Sequence, residues 1–197
     1  FGRDLRKTTL LAIALASVAL IGTWGSVQWL PLWADKMAGQ TFHASKGVTM
    51  FTMSFGAVIG CFIGPWIGKG MGRRPAYFIL CASSLVSCGV LFREVDTFGV
   101  VFLILAFVVG ATTAAFYVWL PVYLPELFPT RARATGQGVS YNTGRILAAV
   151  GAITQGQLVS HFNGSYARAG AVVTLVYLVG MILIWFGKET KGKPLPE

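Results

Sequence analysis

Residues 98–123 read FGVVFLILAFVVGATTAAFYVWLPVY, a run without a single Lys, Arg, Asp, Glu or His. As an α-helix at about 1.5 Å per residue it reaches roughly 39 Å, more than the ~30 Å hydrocarbon core of a bilayer. Outward from it, five further stretches meet the same length requirement: about 8–33, 46–67, 75–92, 135–160 and 167–186. The connections between them are short and hold nearly all the charge. Nothing else in the chain is long enough to form a soluble domain.

Composition agrees. Of 197 residues 55% are hydrophobic and only 12% charged, where a soluble domain carries roughly 25% charged residues. Mean hydropathy is +0.67. These values exclude a disordered chain, a coiled coil, a disulfide scaffold and an ordinary water-soluble enzyme. The surplus apolar surface needs lipid as its solvent.

Net charge is +9, yet the basic residues form short clusters between apolar runs and no stripe with interleaved aromatics. Nucleic acid is therefore rejected as a partner, and the clusters read as orientation signals. One side carries Arg3, Arg6, Lys7, Lys69, Arg73, Arg74, Arg131, Arg133, Lys188, Lys191 and Lys193; the other carries Lys36, Lys46, Arg93 and Arg168. This imbalance predicts both termini in the cytoplasm of a multi-pass protein of the plasma (inner) membrane. Cys61, Cys81 and Cys88 all lie inside apolar runs and read as small packing residues. The chain opens at Phe1 without a signal-peptide pattern and reads as a piece of something larger.

Two landmarks recur. Trp29-Leu30-Pro31-Leu32-Trp33 matches Trp119-Leu120-Pro121-Val122-Tyr123 at an offset of 90 positions. Gly47-Val48 and Gly60 fall on Gly138-Val139 and Gly151 at an offset of 91. The expected fold is an all-α membrane protein, six transmembrane helices arranged as two inverted three-helix repeats. Repeat one covers about 8–92 and repeat two about 98–187, in one bundle spanning 1–197 with a cytoplasmic tail at 188–197. Inverted three-helix repeats are the building unit of secondary transporters, which bind substrate near the midplane. Pro31 and Pro121 each remove a backbone donor, so the spans that hold them are the expected bending or gate-forming helices.

Arg145 is the sharpest single residue. It falls roughly ten residues into the fifth span, where a charge is costly and faces a protein interior or a wet cavity. Its guanidinium fork suits a carboxylate. Two readings stand: it binds a substrate anion, or it is a structural arginine bonded to helix carbonyls or to a carboxylate elsewhere. Tyr141 and Asn142 lie one turn before it. Trp24 and Gln28 on the first span, Thr113 and Tyr117 on the fourth, and Gln155 on the fifth complete the candidate substrate-binding set. Gln155 is expected on a face similar to that of Arg145, and Trp33, Trp119 and Trp185 in interfacial belts. Asp35 is expected to pair with Lys36 or Lys46, or to be solvated. Glu126 follows a kinked helix end and lies near Arg131 and Arg133 in sequence, an arrangement able to latch helix ends. No catalytic constellation, nucleotide-binding loop, cofactor motif or metal-ligand spacing appears.

The run Leu124-Pro-Glu-Leu-Phe-Pro-Thr-Arg-Ala-Arg-Ala-Thr-Gly136 resembles the loop between helices ten and eleven of the major facilitator superfamily. Glu189-Thr-Lys-Gly-Lys-Pro194 is similar to the ending of its sugar-porter-like members, with Lys188 in place of a proline. Gly68-Lys-Gly-Met-Gly-Arg-Arg74 resembles the signature loop between helices eight and nine, without the Asp that normally precedes the basic cluster. Tyr141-Asn-Thr-Gly-Arg145 looks like proton symporters of sialate, lactate and related organic acids.

The resemblance implies the carboxy-terminal half of a twelve-helix secondary active transporter. It would move a small polar metabolite, an organic anion, by alternating access with proton coupling. Glu126, Arg131, Arg133, Arg73 and Arg74 would form its cytoplasmic gate, and a second six-helix bundle would be its partner in the lipid bilayer. A sugar transporter half and a non-transporting membrane scaffold or receptor remain as alternatives.

Overall fold

The computed structural model describes residues 3–40 and 42–197. Phe1, Gly2 and Thr41 lie outside the described residues, as do the side chains of Arg3 and Asp4. The reading of the opening at Phe1 and the charge counted at Arg3 rest on sequence alone.

Every regular element among the described residues is helical. α1 runs Arg3–Trp24 and is followed by a single 3-10 turn, Val27–Trp29, and α2, Leu30–Ala38. The long helices α3 (Ser45–Met71), α4 (Arg73–Glu94), α5 (Val100–Glu126) and α6 (Arg133–His161) come next. The chain closes with α7 (Tyr166–Val173), α8 (Val176–Leu183) and a 3-10 turn at Ile184–Phe186. Between α3 and α4 stands only Gly72, at φ +97°, a left-handed conformation that glycine adopts without the penalty of a Cβ.

Five helical stretches are long and apolar enough to cross a membrane: Leu5–Ala38, Ser45–Met71, Arg73–Glu94, Val100–Glu126 and Tyr166–Phe186. α6, expected as one of six spans, is not among them. At 29 residues it is about 44 Å long, but Gln137, Ser140, Tyr141, Asn142, Thr143 and Arg145 crowd its first half and lower its apolar character.

The two proline landmarks also differ. Pro31 stands at the start of α2, just after a break, whereas Pro121 sits within the unbroken α5. Pro is favoured in a first helical turn, where its missing N–H is no loss, and is tolerated inside a membrane helix when neighbours satisfy the freed carbonyl.

The helices pair in parallel. α3 lies against α5, with Gly56 facing Phe107, Gly60 facing Ala111 and Gly64 facing Ala115, so the register advances in step along both. A Cβ at Gly56 or Gly60 would overlap the α5 backbone; such close approach is how helices associate without a hydrophobic driving force between them. α1 lies against α6 in the same sense, and a Cβ at Gly144 would come within 3.1 Å of Ala16 Cβ.

The core is aromatic. Tyr77, Phe116, Trp119, Tyr123 and Tyr177 are fully buried, with Tyr77 edge-on to Phe116 and Phe116 stacked on Tyr177. The Tyr77 hydroxyl donates to Leu15 O at 2.8 Å, tying α4 to α1. Trp33 and Trp119 belong to this packing and not to interfacial belts. Trp33 stacks on Phe92 and Trp119 lies tilted against Tyr123, since an indole able to bury its whole face between helices gains more than one left at the surface. Trp185 is exposed.

Candidate functional site

A cavity of about 480 Å³ lies between α1, α3 and α5. Its lining starts at Leu32 and Lys46, near the end of the bundle away from the tail, and reaches Ala57, Gly110 and Tyr117 in the middle. Four of the sequence-derived candidates line it: Trp24, Gln28, Thr113 and Tyr117. Trp24 and Gln28 are not on one continuous helix as expected. α1 ends at Trp24 and Gln28 sits in the following 3-10 turn, so the break itself turns both side chains to the cavity. The Thr113 hydroxyl donates to Val109 O at 2.7 Å. The Tyr117 hydroxyl is buried without a hydrogen-bond partner. The neighbouring Thr23 hydroxyl is committed to Ala19 O at 2.9 Å.

The α6 candidates stand apart from this lining. Arg145 is exposed, as is Ala149 one turn on, and it lies within electrostatic reach of Tyr117. Asn142 is exposed too, its Nδ2 donating to Gly138 O at 2.8 Å, whereas Tyr141 packs against the core. Gln155 is 1% exposed, with an unpartnered Oε1. It does not share the face of Arg145, because ten residues at ~3.6 per turn leave the two side chains well apart around the helix.

The end that carries the tail is densely tied. Arg73 donates from Nε and Nη2 to the two oxygens of Glu126 at 2.9 and 2.7 Å, with both side chains less than one-fifth exposed. Thr190 Oγ1 donates to Glu126 at 2.5 Å. Glu189 accepts the backbone N–H groups of Arg73 and Arg74 at 2.9 and 3.0 Å, capping the first turn of α4 from another part of the chain. It also accepts from the backbone N–H groups of Thr190 and Lys191. Partial burial pushes the Glu189 carboxyl up, but the four amides outweigh it and hold the group below the usual carboxylate range. Arg74 donates to Gly187 O, the Tyr123 hydroxyl to Lys188 O, and Lys191 Nζ to Gly70 O.

The partner of Glu126 is thus Arg73, not the arginines nearest in sequence. The α6 start carries Arg133 toward the tail, where it donates to Pro196 O at 3.0 Å, and leaves Arg131 exposed. Among the expected gate residues the structure brings together Glu126, Arg73 and Arg74. Sequence reasoning missed the direct roles of Glu189 and Thr190, and their place in the tail motif was the available signal. It also missed Lys46, Met50, Met53, Ser54 and Ala57 on the cavity side of α3; Met50, Ser54 and Ala57 recur at helical spacing.

Asp35, near the other end, pairs with Lys46 at 3.0 Å. Lys36 turns away, donating to Gly164 O at 2.7 Å and lying over the Tyr166 ring.

Comparison with known proteins gives the same class. The model of the Major Facilitator Superfamily matches residues 36–197. The chain is 28% identical over 195 residues to a Cupriavidus pinatubonensis protein named "Probable 4-methylmuconolactone transporter", covering 98% of this chain and 44% of that one. It is 26% identical to the "Cis,cis-muconate transport protein" of Acinetobacter baylyi, covering 96% and 45%. It is 25% identical to the "Inner membrane metabolite transport protein YdjE" of Escherichia coli, covering 100% and 43%. The chain spans less than half the length of these curated relatives. The family and the relatives are transporters, not enzymes. With several membrane-length apolar helices and a family match over most of its length, this integral, multi-pass membrane chain belongs to the major facilitator superfamily.

Proposed function

We propose that this chain is the carboxy-terminal six-helix half of a secondary transporter that moves a small organic anion by alternating access, driven by a proton gradient. The observation that carries the reading is the asymmetric cavity. Its lining begins near one end of the bundle, while the tail end is closed by the Arg73–Glu126 pair and the strap around Glu189. A site reached from one side at a time is what alternating access requires.

In this reading α6 is the fifth of six spans and the halves 8–92 and 98–187 are the inverted repeats. The clustered Lys and Arg of the tail end face the cytoplasm. The exposed, polar first half of α6 faces a second six-helix bundle. Arg145, about 18 Å from the start of α6, pairs with no carboxylate among the described residues. A charge at that depth is tolerated beside a wet cavity or a protein partner, not against lipid. The anion preference follows from Arg145 and from relatives named for muconate and its methyl lactone. The proton drive rests on the likeness of Tyr141–Arg145 to organic-acid symporters.

The test is Arg145→Gln in the complete transporter reconstituted in liposomes, with a panel of carboxylates led by cis,cis-muconate set against glucose. Losing a charge-assisted hydrogen bond to substrate should reduce carboxylate uptake about tenfold or more, with glucose at background throughout. Unchanged carboxylate uptake would remove Arg145 from the site. A wild-type protein that accumulates glucose and no carboxylate would overturn the anion reading.

A further inference from the structure

Lys46 is the only charged side chain lining the cavity among the described residues, and it stands at the rim. It is held by Asp35 at 3.0 Å, with the two side chains 50% and 41% exposed. An ion pair this wet is worth under about 1 kcal/mol and exchanges readily. Asp35 itself is loosely kept: Ser45 Oγ donates to it at a long 3.4 Å, and Lys36 is engaged elsewhere. Below the pair the lining turns apolar and polarisable, with Met50, Met53, Trp24 and Tyr117 the main surfaces. Thioethers and aromatic faces suit a flat, unsaturated carbon skeleton. From Lys46 to Ala57 the cavity extends about 16 Å along α3, so a small organic acid does not span it and must pass along it.

We propose that Lys46 is the entry residue that sets specificity for carboxylates. An incoming unsaturated carboxylate displaces Asp35 from the Lys46 ammonium at the cavity mouth. Its carbon body then settles on the Met50–Met53–Trp24 wall before the head group moves toward Arg145. Asp35 acts as a built-in competitor, occupying the ammonium when no substrate does and repelling anions that fail to replace it. This deepens the anion-transport reading and rests on it.

The two members of the pair should act in opposite directions, which a merely structural ion pair would not do. In the complete transporter in liposomes, with labelled cis,cis-muconate as probe, Lys46→Gln should raise KM about fivefold, the size expected for a half-exposed ion pair, with the maximal rate held. Its uptake should also lose much of its dependence on ionic strength. Asp35→Asn should lower KM about twofold, and Lys46→Arg should restore the wild-type value. If Lys46→Gln and Asp35→Asn move KM the same way, or leave KM fixed and lower only the maximal rate, the assignment of Lys46 is overturned while the transport reading stands. If the wild type accumulates no carboxylate of the panel, both fall together.

Discussion

The two ends of this bundle hold themselves together by different means. At the tail end Glu126 takes a bidentate arginine and a threonine hydroxyl, and Glu189 takes four backbone amides. At the other end the polar ties are Asp35–Lys46, about half exposed, the long Ser45–Asp35 hydrogen bond and one lysine bonded to the Gly164 carbonyl. Charged groups are strong when they are partly dry and fully partnered, and weak when water competes for them. The tail end is therefore the tight closure and the opposite end the loose one. In the alternating-access reading proposed above, a cavity whose rim lies at the loose end opens there at small cost.

The largest expected effect breaks the tight end. Arg73→Ala leaves Glu126 less than one-fifth exposed and without its fork, a loss of about 3 kcal/mol at the low end for a broken buried pair. Purified full-length protein in detergent should show a clearly lowered unfolding temperature. The double variant Arg73→Ala/Glu126→Gln should recover part of that loss, because no uncompensated charge remains. Strict additivity of the two single losses would show that the pair is not coupled and that the closure lies elsewhere.

A smaller effect sharpens the same end through pH. The Glu189 carboxyl is held below its ordinary value in the folded chain. Its contribution is therefore fully present above the unfolded carboxylate value of about 4.3 and is lost as pH falls through the lowered folded value. Protection of the Arg73, Arg74, Thr190 and Lys191 amides, taken as exchange relative to the intrinsic rate at the same pH, should stay high at neutral pH and fall severalfold only in acid. Glu189→Gln should raise exchange at these four amides already at neutral pH and flatten the acid dependence. Identical exchange profiles for the variant and the wild type would remove Glu189 as the cap of α4.

Much of this was legible in the sequence, for a physical reason. Long apolar runs report directly on the solvent a helix needs, so the five spans around 8–33, 46–67, 75–92, 98–123 and 167–186 each coincide with a helical stretch long and apolar enough to cross a membrane. Polar residues dilute that signal, and α6 was the stretch where apolarity and helix length parted. Of the substrate candidates, Trp24, Gln28, Thr113 and Tyr117 share the cavity: one turn of α5 places Thr113 beside Tyr117, while Trp24 and Gln28 reach it across the break after α1, which the sequence did not reveal. Gln155 was misjudged because helix phase over ten residues drifts away from the face of Arg145. The partner of Glu126 was not legible. Sequence neighbours Arg131 and Arg133 compete on paper with Arg73, which is 53 positions away, and only the way α4 and α5 meet decides between them. Lys46 was legible as a partner of Asp35 but not as a cavity residue, because such a pair looks like any solvated one until the cavity beneath it is seen.

The smallest expected effect tests the loose end by the same operation used on the tight one. Asp35→Asn removes an acid from an ion pair, as Glu126→Gln does, but both groups at this end keep substantial contact with water. The Coulomb attraction there is largely screened, and ordering two side chains offsets much of the remainder. Unfolding temperature should therefore shift by no more than corresponds to about 1 kcal/mol, and in ~1 M salt the shift should vanish, because the Debye length shrinks to about 3 Å. Glu126→Gln should keep most of its effect under the same salt, since its partner is held by direct, partly dry hydrogen bonds. Equal losses for the two variants, equally sensitive to salt, would mean that the ends are alike in strength. The direction in which the cavity opens would then have to be set by something other than these charges.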